Sequence, residues 1–531
     1  MATVNRKAVL PLAIFLLALG SRLIPGPRTV DDAFITFRYA RNILAGDGFV
    51  YNPGERVLGT TTPLYTLAMA GLGVPLGGAS APFPEIALVL NAFADALTCL
   101  LLLAIGRRLG ARYGGLGAAL VWAIAPFSVT FAIGGLETSL FVLLITSTAF
   151  FYLDKRFASA AILASLSVLT RPDALLFVLP LLFDRTVASF RHRSPKIRIT
   201  EIAAFVGPLL AWGLFATMYF GSPISHSLTA KEQAYLLPDM AAFTRLLQHY
   251  ATPFLENLTF GNGWIALGLV FIPFINLVGI RSAVRTDARS WPMLAYPWVY
   301  FAAFAIANPL IFRWYLTPPL PFYILTILIG VESIVLSIFA RANPSASKTP
   351  VARRAKLSSS LLLTSVVLLP LVLSLRGWTV QPDHGPGRPA PEMAWHELEL
   401  DYLEAANFLE PLLQEESVLA ASDVGVLGYF TTSRILDTVG LNSPIALQYY
   451  PIDPSFYVIN LATSPDLIVD TQPDYVVLLE VYGREGLFKD ERFQDHYTQI
   501  MEIPTDVYGS DGMLIFSRND LVKDLGRNLN S

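Results

Sequence analysis

Residues 29–65 read TVDDAFITFRYARNILAGDGFVYNPGERVLGTTTPLY. The first half has a helical period, with Phe34, Phe37, Ile43 and Leu44 toward one side and Asp31, Arg38 and Asn42 stacked on another. Asp31 and Asp32 stand at the expected helix start, where the positive end of the helix favours carboxylates, and Gly46 stands at its stop. Just upstream lies the apolar run AVLPLAIFLLALGSRLI, residues 8–24. The acid pair therefore sits at the edge of an apolar segment, where charge is costly to desolvate. Either the acids only cap a helix, or they are held at that edge for chemistry.

Composition identifies the edge as a membrane rim. Hydrophobic residues make up 53% of the 531 and charged ones 15%, and the mean hydropathy is +0.51, outside the range of an ordinary soluble domain. A bilayer core about 30 Å thick takes roughly 20 apolar residues per helical span. Eleven spans are expected near 8–24, 85–105, 114–132, 137–153, 157–169, 174–184, 200–220, 263–280, 293–310, 316–339 and 357–376. The run FASAAILASLSVLTRPDALLFVLPLLF is split at Arg171-Pro172-Asp173, because one long span would put the basic stretch DRTVASFRHRSPKIR on the wrong side. With the split and a cytoplasmic N-terminus, 20 of the 30 basic residues before Gly377 lie inside, including those of RANPSASKTPVARRAK. The many later spans, and the lack of a small-x-small cleavage site, argue against a signal peptide in the first run.

Beyond residue 376 the character changes. Residues 377–531 carry 25 Asp and Glu against 8 Lys and Arg, whereas residues 1–376 carry 16 against 30. Two domains are expected: a membrane domain, 1–376, and an acidic extracytoplasmic domain, 377–531, joined by the linker-like QPDHGPGRPAPE. Strand-like runs SVLAAS, RILDTVG, DYVVLLE and MLIFSR alternate with helical segments such as ELELDYLEAANFLEPLLQ, which reads as α/β. An acidic tail argues against nucleic acid as a partner. Cys99 is the only cysteine, so no intramolecular disulfide forms. The chain has no G-x-x-x-x-G-K-[ST] loop, no G-x-G-x-x-G and no zinc-spaced His/Cys cluster.

Eleven spans place the informative loops outside. The segment TPLYTLAMAGLGVPLGG is too short for a span and reads as an interfacial helix. Other polar groups fall at the same outer span ends: Glu137 in GGLETS, Arg171 and Asp173 in LTRPD, His226 and Lys231 in GSPISHSLTAKE, and Arg313 in NPLIFRWYLTPP. Each alone reads equally well as a cap, a loop charge or an interfacial anchor; together they suit a cavity at the rim. Asp95 lies inside a span with Asn91 one turn earlier, and a polar helix–helix contact is expected there.

DDAFITFRYARNILAGDGFVYNPGERVLGTTTPLY resembles the first outer loop of the GT-C superfamily of integral-membrane glycosyltransferases. Within it, the loop is most similar to the terminal arabinofuranosyltransferase of actinobacterial cell-wall synthesis and its bacterial relatives. GGLETSLF, LTRPDALL, GSPISHSLTAK, FRWYLTPPLP and SDVGVLGYFTTSRILDTVGL resemble further motifs of that group, so the likeness runs from about residue 8 to 441. PISH departs from it, since relatives more often have Pro-Asn.

The resemblance implies a polytopic helical membrane domain with interfacial helices in the first outer loop. It also implies a polyprenyl-phosphate sugar as donor, a glycan or lipid-linked acceptor, and an Asp of that loop, Asp32 or Asp31, as catalytic base. Arginine suits a lipid phosphate because its planar fork donates two parallel hydrogen bonds; Arg313 and Arg171 are the candidates, with Lys231 a mobile third. Arg38, Glu137, Asp173 and His226 are the candidate substrate contacts. A hard divalent cation, Mg, Mn or Ca, is compatible with an Asp pair. A carrier or flippase of a lipid-linked sugar, or a non-catalytic assembly factor, is the competing class, although no internal repeat supports transport.

Overall fold

The computed structural model describes residues 6–254, 262–342, 350–381, 383, 387–414 and 416–522. The middle of the basic loop expected after the span 316–339, four residues of the expected linker and the end of the acidic tail lie outside the described residues. Two compact units emerge. The first comprises Met1–Arg28, Ala87–Leu210 and Met240–Trp395; the second comprises Thr29–Ile86, Ala211–Asp239 and His396–Ser531.

The first unit is a helical bundle. Every expected span is helical, from Arg6–Leu23 and Phe83–Arg108 through to Leu320–Ala342 and Pro350–Arg376. The span expected at 114–132 is two helices, Arg112–Ile124 and Pro126–Ile133, bent by 43° at Ala125, because Pro126 cannot continue the backbone ladder. The split at Arg171-Pro172-Asp173 has the same cause: the helix Phe157–Thr170 stops, Arg171 is extended at φ −152°, ψ 130°, and Leu175–Phe190 begins anew.

Among the described residues, four helices are long and apolar enough to cross a membrane by length and composition, or five if the bent pair is one span. Most of the others have 14–18 residues, about 21–27 Å of rise, shorter than the ~30 Å hydrocarbon core. The eleven spans expected from the sequence are therefore, among the described residues, twelve helices of unequal reach. Ile199–Phe220 and Gly263–Thr286 are almost wholly unburied along their apolar windows, which is the character of a lipid-facing surface. Helix Asn262–Thr286 packs on Leu320–Ala342 with backbones nearly touching: a Cβ on Gly279 would lie 1.9 Å from the Thr326 carbonyl, and one on Gly330 2.1 Å from that of Ile275.

Asp95 is structural, but Asn91 is not its partner. Its carboxylate accepts from Arg22 Nε at 3.0 Å, Trp122 Nε1 at 3.0 Å and Ser139 Oγ at 2.8 Å, while Asn91 donates to the carbonyls of Ala132 and Leu136. Arg22 spends its other donors on Ala18, Ala123, Trp122 and Ser128. Both side chains are fully buried, so removing one partner strands a charge. Asp95→Ala is expected to destabilise the protein by roughly 3–5 kcal/mol. An Arg22→Met, Asp95→Leu double variant should melt closer to wild type in detergent; a double variant less stable than Asp95→Ala contradicts this.

The second unit holds a five-stranded mixed sheet of order β4-β3-β5-β7-β6. Its strands are β3 (Val418–Ala421), β4 (Arg434–Asp437), β5 (Tyr475–Leu479), β6 (Tyr497–Ile503) and β7 (Met513–Arg518); β1 (Trp378–Thr379) and β2 (Ala390–Pro391) form a separate antiparallel pair. β3 pairs in parallel with β4 and β5, and β7 runs antiparallel to β5 and β6. The helix Gly425–Phe430 forms the crossover from β3 to β4. β6 was not expected: its exposed Thr498, Gln499 and Glu502 and its bulge give an edge strand without a clean apolar pattern.

These units do not divide at 376/377. Trp378 Nε1 donates to the Ile124 carbonyl, and Ala390 and Ala394 pack with Val129 and Ile133, which gives residues 377–395 to the bundle. The first loop, in turn, is hydrogen-bonded into the α/β body.

Candidate active site

The helix Asp31–Ala45 forms as its sequence suggests, with both acids in its first turn and Gly46 closing it at φ 95°. What its polar stripe does is different. Asp31 is buried; its two oxygens accept the backbone N–H groups of Gly425 at 2.8 Å and Val426 at 2.7 Å. Asp31 thus caps the crossover helix of the sheet from another part of the chain. Only glycine fits at 425, since a Cβ would lie 1.7 Å from the Asp31 carbonyl oxygen.

Two and three turns further on, the stripe continues the seam. Arg38 donates to the carbonyls of Tyr51, Gly428 and Ser433 and to Asn52 Oδ1, and Asn42 to the carbonyls of Val50 and Tyr51. Arg38 was expected to touch substrate. It is 3% exposed with four of its five N–H donors committed, so it is a clamp.

Asp32 points elsewhere. It is partly buried and, among the described residues, has neither a hydrogen bond nor an ion pair. Its charge acts on Asp423, in the turn between β3 and the crossover helix. Asp423 accepts from the Tyr402 hydroxyl at 2.9 Å and is hydrogen-bonded by Tyr482. Burial first, and then the neighbouring negative charges of Asp32 and Asp437, push the Asp423 carboxyl up to about 6, against the pull of the two tyrosines. Asp31 is also raised, by burial and by Asp423, despite its two N–H donors. Tyr235, partly buried, feels the charges of both Asp32 and Asp423.

The helix His226–Ala234 carries His226 and Lys231 in this same unit. The divergent PISH segment serves to tie the chain: Ser225 Oγ and the His226 N–H both donate to the Leu58 carbonyl, at 3.0 and 2.9 Å. His226 Nε2 has no partner among the described residues, and burial lowers its pKa, so it presents a neutral ring nitrogen.

The bundle unit holds the remaining candidates. Arg171 is buried between two carboxylates, with Nη1 2.8 Å from Glu137 and a bidentate grip on Asp173 through Nε and Nη2, both at 3.0 Å. Its guanidinium also lies over the Tyr315 ring. Arg171 was expected to hold a phosphate, and Glu137 and Asp173 a substrate; instead the three satisfy one another and leave no excess positive charge.

Arg313 differs. It is exposed and donates once, to the Met393 carbonyl at 3.1 Å, and it has no acid partner among the described residues. Arg245 is its unexpected companion. On the helix Ala241–Ala251, His249 Nε2 bonds the Leu316 carbonyl at 2.9 Å, pinning that helix to the turn Arg313–Leu316. Arg245 lies one turn before His249, and the Arg245 and Arg313 charges oppose one another. Its only sequence signal was the i, i+4 pair in TRLLQHY. Among the described residues, no three His, Cys, Asp or Glu are set to hold a metal ion.

The architecture, a helical membrane bundle and a mixed α/β body, is shared with solved structures. The oligosaccharyltransferase of Archaeoglobus fulgidus, tethered to an acceptor peptide containing the NVT sequon, superposes with a TM-score of 0.57 at 13% identity over 96% of this chain and 74% of that one. ArnT from Cupriavidus metallidurans in the apo state superposes with a TM-score of 0.53 at 13% identity over 96% of this chain and 97% of that one. Residues 391–516 match a domain family of unknown function, DUF8728. No curated protein sequence matches the chain.

Proposed function

We propose that this protein is a glycosyltransferase that moves a sugar from a polyprenyl-phosphate donor to a hydroxyl of a glycan or lipid-linked acceptor. We place it in the plasma membrane, with the N-terminus cytoplasmic and the reaction at the outer face. The observation that carries the reading is the division of labour in the acid pair: Asp31 is committed to Gly425 and Val426 while Asp32 is left without a partner among the described residues.

A sugar hydroxyl is a poor nucleophile. Asp32 takes its proton as the new oxygen–C1 bond forms and the bond from C1 to the donor phosphate oxygen breaks. The departing polyprenyl phosphate carries the negative charge; in the bundle unit, Arg313 with Arg245 is a cationic pair whose chemistry suits a lipid phosphate. Both oxygens of Asp31 are occupied by N–H donors, which takes one ligand from a divalent cation at the pair; no step here runs through a metal. Arabinofuranose is the donor sugar favoured by the likeness of the first loop.

Purified protein in nanodiscs, given labelled polyprenyl-phosphate arabinofuranose or mannose and a cell-wall glycan, is expected to transfer label only when the glycan is present. Movement of the labelled lipid between leaflets without transfer would indicate a carrier. Neither activity would leave the assembly-factor reading.

A further inference from the structure

The chain carries a second carboxylate that the base assignment does not use. Asp423 is partly buried in the turn that follows β3. Two constraints hold it. From one side Asp31 ties the N–H groups of Gly425 and Val426, so the turn is fixed to the very residue that precedes Asp32. From the other, Tyr402 and Tyr482, both buried, direct their hydroxyls at it. A carboxylate has about four acceptor positions; the two tyrosines use two. Asp32 and Asp423 both act on the partly buried Tyr235. No basic side chain forms an ion pair with Asp423 or Asp32 among the described residues.

Two neighbouring carboxylates with unused acceptor positions and no counter-ion call for a ligand rich in donors. A sugar diol has that chemistry: each hydroxyl donates one hydrogen bond, and adjacent hydroxyls present two donors side by side. We propose that Asp423 is a positioning residue for the acceptor, accepting a hydrogen bond from the hydroxyl next to the one that Asp32 deprotonates. The acceptor class is then a glycan whose terminal residue bears a free vicinal diol. The acidic domain supplies part of the acceptor site. This assignment rests on the glycosyltransferase reading above.

The test uses the full-length protein in nanodiscs, the labelled donor at saturation and the glycan that supports transfer. Losing one hydrogen bond to a charged group, Asp423→Asn is expected to raise the acceptor KM roughly 10- to 100-fold, with kcat and the donor KM within a few-fold of wild type. Asp423→Glu should recover part of the loss. Tyr402→Phe removes one hydroxyl that aims Asp423 and should raise the same KM by less, which keeps the test open if Asp423→Asn does not fold. A wild-type acceptor KM in folded Asp423→Asn, or in Tyr402→Phe should the first variant not fold, overturns the assignment while leaving the enzyme reading intact. No acceptor-dependent transfer by the wild-type protein overturns both.

Discussion

Asp32→Asn is expected to lower turnover by roughly 10²–10⁴-fold with the melting midpoint unchanged, and Asp31→Asn to do the reverse. The amide at 32 keeps the shape of the carboxylate but does not take a proton, and the acid has no hydrogen bond among the described residues for the substitution to break. At 31 the amide keeps one acceptor oxygen and turns an NH2 group toward a backbone N–H, either Gly425 or Val426. A buried donor is then unsatisfied and the cap is half lost, which costs about 1–3 kcal/mol. Stability by thermal unfolding and turnover by labelled-sugar transfer, measured on the same preparations, separate the two. Equal losses of turnover, or a destabilised Asp32→Asn with normal specific activity, remove Asp32 as the base and leave the pair as a helix cap.

That separation was not legible in the sequence, and the reason is distance along the chain. The helix Asp31–Ala45 was legible because its period, its acidic first turn and its closing glycine are all local. The break at Arg171-Pro172-Asp173 was legible because one long span would put the basic stretch after it on the wrong side, and the proline disfavours a helical residue before it. Asp31 and Arg38 of the polar stripe find partners 390 to 395 residues away, at Gly425, Val426, Gly428 and Ser433, so a stripe read as suited to a cavity is a seam. Arg22 and Asp95 are 73 residues apart, and Glu137 and Arg171 34. In each case the charge is met by one that no periodicity connects to it. Asp423 escaped notice for another reason: it is one of 25 acids in the tail, and only the aimed hydroxyls of Tyr402 and Tyr482 single it out.

Arg313 and Arg245 have no carboxylate partner among the described residues, where Arg171 has two. Two guanidinium groups set to repel one another, without a carboxylate among the described residues, are a cost to the empty protein. An anion placed between them turns that cost into attraction. Arg313→Ala is therefore expected to leave the ligand-free protein as stable as wild type or slightly more so, while binding of polyprenyl phosphate weakens roughly 10- to 100-fold for one lost charged contact. Arg313→Lys keeps the charge without the planar fork and should fall between the two. Arg245→Ala should resemble Arg313→Ala, and the double variant should lose less than the sum, since both act on one phosphate. Thermal unfolding with and without polyprenyl phosphate in nanodiscs reads both quantities at once. A structural role predicts the opposite sign without ligand, a lower midpoint in the alanine variants, with an undiminished shift when polyprenyl phosphate is added. That result would remove the arginine pair from the donor site.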